Sequence, residues 1–176
     1  MAEIFAYILH KDGKADDTAY ELINAAAKID PAAKVTAIVA GSGSTLDAAC
    51  SEAAKIYPAV WKIDSEALSY VNAEVIRPLL VNILPKGGVL LLPHEHFGMD
   101  LAPGLSIKLD AAYLPDAVGF EGVEGSVLKA IREEFSGMVS THVNVDLSGG
   151  AVVTVRPGAF APDESVCKVT RMTGQS

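Results

Sequence analysis

Cysteine is scarce in this sequence, since Cys50 and Cys167 are the only two in 176 residues. They lie far apart and form no CxxC or Cys/His spacing, so the sequence indicates neither a disulfide framework nor a zinc knuckle. Low cysteine use of this kind is typical of proteins from a reducing compartment. We therefore expect a cytoplasmic protein.

Long hydrophobic runs are also missing. The longest, such as residues 89–92, are far shorter than the roughly twenty residues that a membrane helix needs. The first residues have the composition of a strand, and no basic segment precedes an apolar stretch as it does in a secretory signal. We expect a soluble protein that does not insert into a membrane.

Positive charge is in deficit, with 14 Lys and Arg against 22 Asp and Glu, and the formal net charge is −8. This balance argues against a nucleic-acid phosphate backbone as the main partner. Signatures of catalysis are missing too, because there is no GxSxG motif and neither cysteine has a histidine nearby in the sequence. The sequence therefore does not indicate an active site of its own.

What is present is the composition of a folded domain. Half of the residues are hydrophobic and 20% are charged, and the length is sufficient for one sizeable core. We expect one domain over residues 1–161, followed by a polar tail over residues 162–176. The sequence has no internal repeat and no low-complexity segment.

Segments typical of strands and helices alternate along the first two thirds of the chain. Strands are predicted at residues 4–10, 35–40, 60–63 and 89–93, and helices begin near Asp17, Ser44, Glu66 and Leu101. Pro78 lies inside the third helix, where we expect a kink or a break. Such alternation predicts a Rossmann-like three-layer α/β/α fold with a mostly parallel sheet.

The pattern changes after residue 110. Residues 127–135 and 139–145 alternate apolar and polar side chains around Ser136 and Gly137, which predicts an antiparallel hairpin added to the sheet. A helix over residues 126–135 is the alternative, since Leu, Lys, Ala and Glu favour one. A last strand is predicted at residues 151–156.

A glycine-rich segment follows the second predicted strand. Gly41, Ser42 and Gly43 precede a helix, and free backbone N–H groups at such a place can hold an anion. The segment is neither a GxGxxG nor a P-loop motif. In the alternative interpretation, Ser44 caps the helix and Asp47 completes a capping box.

Histidines mark the end of the fourth predicted strand. His94 and His96 share one face of an extended chain, and Asp100 or His142 could add metal ligands. The alternative is that they are polar loop residues at the edge of the sheet. We assign no metal from this spacing alone.

Two blocks carry a resemblance to a known family. The first is HFGMDLAPGL at residues 96–105, where we expect a glycine turn before the helix, and the second is VVTVRPGAF at residues 152–160. Together they resemble the N-terminal domain of the electron transfer flavoprotein alpha subunit. The resemblance implies a scaffold domain that packs against a beta subunit and is joined to a second, FAD-binding domain.

Some charges that the resemblance leads one to expect are missing. Members of that family commonly carry a basic residue where this chain has Met99 and an arginine where it has Gly104. In the hairpin, Arg132 and the aromatic Phe135 match the family pattern. Arg156 is the charge that the resemblance retains at the domain exit, although an ordinary pairing with a nearby carboxylate is the alternative.

The resemblance implies an electron-transfer component rather than an enzyme with its own active site. We expect it to dock a beta-like subunit or a separate flavin-binding chain and to help form the environment of FAD, although this chain alone lacks most of the FAD contacts. The residues expected to contribute are Gly41, Ser42, Gly43, His96, Phe97, Gly98 and Arg156. The alternatives are a stand-alone module that binds AMP or ATP and a homodimer.

Overall fold

The computed structural model describes residues 3–161 as an α/β protein. The helices are α1 (Thr18–Ile29), α2 (Gly43–Ala53), α3 (Ala73–Ile83) and α4 (His96–Leu109). The strands are β1 (Ile4–Tyr7), β2 (His10–Lys11), β3 (Lys14–Ala15), β4 (Val35–Gly41), β5 (Ala59–Asp64), β6 (Val89–Pro93), β7 (Ala112–Glu124), β8 (Val127–Glu134), β9 (Val139–Asp146) and β10 (Ala151–Val155). The predicted fold class is confirmed, whereas the predicted tail lies outside the described residues.

The main sheet has eight strands in the order β5-β4-β1-β6-β10-β7-β8-β9. The strands from β5 to β7 run parallel in this order, and β8 and β9 are antiparallel additions. The chain builds outwards from β1 through β4 to β5, and then crosses to β6 on the other side of β1. The crevice between the carboxyl ends of β1 and β6 is therefore the topological switch point, where open α/β sheets usually bind ligands.

The parallel strands are buried on both faces, which explains their nearly uninterrupted apolar sequences. In β1, Ile4 and Ala6 face a core that includes Leu22 of α1, while Phe5 and Tyr7 face a second core that includes Leu101 of α4. Helices α1 and α2 thus cover one face of the sheet, and α3 and α4 cover the other. This arrangement is the predicted three-layer architecture.

The third predicted helix is interrupted earlier than its proline suggests. A 3-10 turn at Glu66–Leu68 precedes α3, and Asn72 caps α3 by accepting a hydrogen bond from the backbone N–H of Val75 at 3.1 Å. Pro78 lies inside α3, which continues to Ile83. The break therefore lies before Ala73, because the Asn72 cap starts a new helix there.

The predicted hairpin is confirmed as β8 and β9, which pair in a continuous antiparallel register from Val127↔Asp146 to Glu134↔Val139. The alternative of a helix over residues 126–135 is wrong. No helix within residues 3–161 is long and apolar enough to cross a membrane.

Strand β7 has 13 residues and bends back on itself. At its start, Ala112 N–H donates to the Gly150 carbonyl at 3.0 Å, and just beyond its end the Ser126 carbonyl accepts from Leu147 N–H at 2.7 Å. Both ends therefore lie beside residues 147–150. Asp116 has a left-handed φ of 57° at the point where the pairing of β7 with β10 shifts register. Strand β7 packs against α1.

Candidate functional site

A cleft of about 480 Å³ lies at the switch point. It is formed by the β2–β3 hairpin, the start of the α1 segment and the residue before α4. Its charged lining consists of two lysines and three carboxylates, and the lining residues are Leu9, His10, Lys11, Lys14, Ala15, Asp16, Asp17 and Glu95. Counted as ionised groups, the lysines and carboxylates give the cleft no excess of positive charge.

The glycine-rich segment lies between a strand and a helix as predicted, since Gly41 ends β4 and Gly43 begins α2. Ser42 is the N-cap of α2 and makes no side-chain capping bond, so the alternative interpretation, a Ser44 capping box, is wrong. Asp47 instead accepts a hydrogen bond from Lys62 at 2.9 Å. Gly43 has a φ of +75° and faces open space. The amino terminus of α2 is therefore accessible.

His10 packs against this segment. Its Nε2 lies 2.6 Å from the Ala40 carbonyl oxygen, and a Cβ on Gly41 would come within 3.2 Å of the His10 ring. Glycine at position 41 therefore gives the imidazole room to close the space between the ends of β1 and β4.

Helix α4 begins at His96 and not at Leu101, so the predicted glycine turn is wrong. Glu95 is the N-cap, and His96, Phe97 and Gly98 form the first turn of the helix. A Cβ on Gly98 would collide with the Pro93 carbonyl oxygen, so only glycine lets α4 start so close to β6. The three residues thus place the amino terminus of α4 at the carboxyl edge of the sheet.

The two blocks that carry the family resemblance lie side by side. Strands β6 and β10 pair in parallel from Val89↔Ala151 to Pro93↔Val155. Beyond them, His94 N–H donates to the Val155 carbonyl at 2.8 Å, and His94 Nδ1 lies 2.9 Å from Thr154 Oγ1. The amino terminus of α4 and the chain exit are therefore neighbours at one edge.

Arg156 is engaged by two carboxylates. Its Nε and Nη2 donate to the two oxygens of Asp116 at 3.0 and 2.6 Å, and its Nη1 donates to Glu133 at 2.6 Å. The hydrogen bond from Arg156 holds the pKa of Asp116 below its usual value, and the same bond raises the pKa of Arg156. The structure therefore agrees with the alternative interpretation of Arg156, in which its guanidinium pairs with nearby carboxylates.

The residues after Arg156 are fixed against α1 and β7. Gly158 N–H donates to Glu21 at 2.6 Å, and the Phe160 carbonyl accepts from the Asn24 amide at 3.2 Å. The Phe160 ring stacks on Phe120 with 5.3 Å between the ring centres. We call residues 156–160 the exit clasp, because they hold the end of the described chain to the domain.

The histidines do not converge. His142 lies on β9 with its Nδ1 3.0 Å from Glu121, whereas His94 contacts Thr154. Within residues 3–161, no group of three or more His, Cys, Asp or Glu side chains is placed to hold a metal ion.

Gly104 stands where the family resemblance leads one to expect an arginine, and the side chain of Arg77 from α3 fills the space there. A Cβ on Gly104 would come within 2.8 Å of Arg77 Nε, and Arg77 Nη2 donates to the Asp100 carbonyl at 3.0 Å. The guanidinium of α3 therefore lies over α4 at the point where α4 has no side chain. Neither Arg77 nor the carboxylates Asp116 and Glu133 were singled out by sequence reasoning.

Two large apolar side chains of α4 are exposed, and the charged side chains of Asp100 and Lys108 are exposed beside them. Met99 and Ile107 lie two turns apart on α4 and are 41% and 78% exposed, and Tyr113 just after the helix is 37% exposed. Large exposed apolar side chains with charged neighbours are the composition of a contact surface.

Comparison with known proteins gives a consistent result. The electron transfer flavoprotein domain model matches residues 4–175. An electron transfer flavoprotein subunit alpha, mitochondrial, from Arabidopsis thaliana is 26% identical over 156 residues, which cover 86% of this chain and 42% of the relative. A probable mitochondrial alpha subunit from Cryptococcus neoformans var. grubii is 26% identical over 164 residues, which cover 91% and 46%. The chain thus spans less than half the length of these relatives. With nearly all of its residues matched by the family model, it belongs to the electron transfer flavoprotein domain family.

Proposed function

We propose that this chain is an alpha-like scaffold domain of an electron transfer flavoprotein system. It docks a beta-like subunit, or a separate flavin-binding chain, and shapes one wall of the flavin environment. In this role it is a component of electron transfer and carries no active site of its own. The observation that carries the proposal is the pair of large exposed apolar side chains on α4, Met99 near its amino terminus and Ile107 near its carboxyl terminus.

The docking surface consists of Met99, Ile107 and Tyr113. Their exposed side chains gain free energy when a partner removes them from water, at about 25 cal/mol per Å² of apolar surface. Arg77 adds a guanidinium to the same side of the domain, since it lies over Gly104 on α4. The surface therefore offers apolar contact with charged groups beside it, since Lys108 and Asp100 of α4 are exposed as well.

The amino termini of α2 and α4 supply the proposed contacts to the cofactor. Gly41 ends β4, Ser42 and Gly43 begin α2, and His96, Phe97 and Gly98 begin α4, so both helices present backbone N–H groups and a partial positive charge at the carboxyl edge. Donors of this kind can contact a flavin or a phosphate that a partner chain holds against the edge.

Arg156 contributes indirectly. Its guanidinium is occupied by Asp116 and Glu133, so we assign it to holding the exit clasp and not to a phosphate. The clasp fixes the direction in which the chain leaves the domain.

FAD does not fit this chain alone. Its diphosphate is anionic, whereas the switch-point cleft carries the lysines Lys11 and Lys14 against three carboxylates. When bound, FAD supplies the electron-accepting and electron-donating chemistry. We therefore place its binding mainly on the partner.

Co-purification tests the docking. The chain is co-expressed with a beta-like subunit from the same source, and the complex is assayed by size exclusion and by flavin absorbance. We expect a yellow complex that Ile107→Lys disrupts, because it places a charge in the apolar surface. Tyr70→Lys, at a side chain that is 78% exposed elsewhere, is the matched control. A complex that forms equally well with Ile107→Lys contradicts the docking surface.

A second candidate is a stand-alone module that binds AMP or ATP. The size of the switch-point cleft, about 480 Å³, favours it, because adenine nucleotides fit such crevices. The excess of carboxylates over lysines in the cleft opposes it, for the same reason that it opposes the FAD diphosphate. Excess AMP, ATP or FAD should then raise the apparent unfolding temperature, since a ligand that binds only the folded state stabilises it. No shift with any of the three counts against this candidate.

A further inference from the structure

The outermost strands of the main sheet, β5 and β9, differ in how their free edges are protected. Exposed strand edges pair readily with other chains, and proteins usually block them with Lys, Pro, bulges or short length. Strand β5 has six residues and carries Lys62 at its centre, paired with Asp47 at 2.9 Å. That edge therefore has a charged side chain that opposes further pairing.

Strand β9 has none of these protections. It has eight residues, pairs with β8 without a bulge and contains no Lys, Arg or Pro. Its ionisable side chains are His142 and, at its last position, Asp146. Within residues 3–161, β8 is the strand that β9 pairs with, and its other edge is open.

We propose that β9 pairs with β9 of a second copy of this chain, antiparallel and centred on Val143. This register places Ser140 opposite Asp146 of the second copy, and His142 opposite Asn144 of the second copy. Thr141 then faces Val145, and Val143 faces its own equivalent. A closed two-fold dimer with one continuous sheet results.

Side-chain complementarity selects this register and a copy of the same chain. On the exposed face, the Ser140 hydroxyl can donate to the Asp146 carboxylate and the Asn144 amide can pair with the His142 ring, each twice. Val143 and Val145 meet apolar or β-branched partners on the half-buried face. Opposite residues of an antiparallel pair must both point their backbone groups toward the partner strand or both away from it, so the neighbouring possible centres are His142 and Asn144. The His142 centre sets two imidazoles directly against each other and leaves Asp146 without a partner on the strand. The Asn144 centre sets His142 opposite Asp146, but it pairs about five residues of β9 instead of about seven and leaves Ser140 without a partner on the strand.

The hairpin tip adds apolar contact in the same register. Phe135, Met138 and Val139 are 74%, 84% and 46% exposed. Pairing about Val143 brings Val139 opposite Leu147 of the second copy. The tip of one chain therefore lies beside the end of β9 in the other, where part of this surface leaves water.

Sedimentation velocity of the full chain across a concentration series tests the dimer. We expect a monomer–dimer equilibrium. Ser140→Asp places carboxylates opposite Asp146 at both ends of the interface, and should weaken the dimer about tenfold, since like charges directly opposite on paired strands are destabilising. Ser140→Lys should tighten it. Ser51→Asp, at an exposed serine of α2, is the control for added charge and should leave it unchanged.

A compensating change tests the register itself. Asp146→Asn removes the repulsion in the Ser140→Asp background and keeps an oxygen for the Ser148 N–H, which donates to Asp146 at 2.9 Å. The double variant should regain the dimer. A chain that is monomeric at its highest soluble concentration, a dimer indifferent to both Ser140 variants, or a double variant that stays as weak as Ser140→Asp overturns the proposal.

Discussion

Arg156 donates two hydrogen bonds to the Asp116 carboxylate, from Nε at 3.0 Å and from Nη2 at 2.6 Å. Asp116 lies at the bend of β7 with a positive φ, and its N–H donates to the buried hydroxyl of Thr154 at 2.9 Å. Glu133 of β8 receives the third bond of the guanidinium. The Arg156 side chain thus links the end of β10 to both β7 and β8, the two strands at which the sheet changes from parallel to antiparallel pairing.

Replacing Arg156 should loosen this junction. We expect Arg156→Gln to lower the free energy of unfolding by about 1–2 kcal/mol, because charge-assisted bonds are lost at a half-exposed site. Arg156→Lys should retain only part of this stability, since one ammonium cannot bond both carboxylates as the planar guanidinium does. Urea unfolding measures both. Lys62→Gln, in an exposed pair with Asp47, is the control, and an equal loss there would contradict the expectation.

Acid should weaken the same junction. The pKa of Asp116 is lowered by its hydrogen bond from Arg156, so the folded state favours the ionised carboxylate. A lowered folded-state pKa adds stability above the ordinary carboxyl pKa of about 4, and this stability is lost as the pH falls through the folded-state value.

We therefore expect the stability difference between the wild type and Asp116→Asn to be largest near neutral pH and to shrink on acidification below about pH 4. Chemical unfolding at a series of pH values measures it. A difference that grows on acidification would sink this assignment.

Gly98 and Gly104 of α4 should respond differently to alanine. A Cβ on Gly98 meets the backbone carbonyl of Pro93, so Gly98→Ala must displace the start of α4. We expect it to lower the free energy of unfolding by about 3 kcal/mol or more, as overpacking of a rigid core does. A Cβ on Gly104 meets only the Arg77 side chain, which can move. Gly104→Ala should cost less than about 1 kcal/mol, because alanine favours helix by a similar amount. Thermal unfolding of the two variants compares them, and equal losses would contradict the distinction.

Phe160 should anchor the exit clasp. Its side chain is 8% exposed and stacks on Phe120, so Phe160→Ala should lower the free energy of unfolding by about 2–4 kcal/mol. Phe135→Ala, at a ring that is 74% exposed, should change it by less than about 0.5 kcal/mol. Denaturant titration compares the two, and a Phe160 variant as stable as the Phe135 variant would show that the clasp is not anchored there.

The sequence was sufficient for the fold class because helical and strand periodicity alternate regularly up to residue 110. It misplaced the start of α4, since the apolar residues of that helix do not follow one clear face and the helix contains Gly98 and Pro103, so neither periodicity nor propensity marks its beginning. The close approach of Gly98 to the Pro93 carbonyl lets α4 begin at His96, and this approach exists only in the folded chain.

The surroundings of Arg156 could not be assigned for a related reason. Asp116 and Glu133 lie 40 and 23 residues away in the chain, and Asp116 reaches the guanidinium only because β7 bends at a left-handed residue. The cytoplasmic location and the cofactor contacts of Gly41, Ser42, Gly43, His96, Phe97, Gly98 and Arg156 stay predictions.

Lys62 on β5 has a consequence for how large an assembly this sheet can form. A sheet that can add neighbours at both margins can polymerise without limit, whereas one that adds a neighbour at a single margin stops once that margin is used. Because the ammonium group shields one margin and the opposite one is self-complementary, growth terminates at two chains, and a filament of stacked domains is avoided.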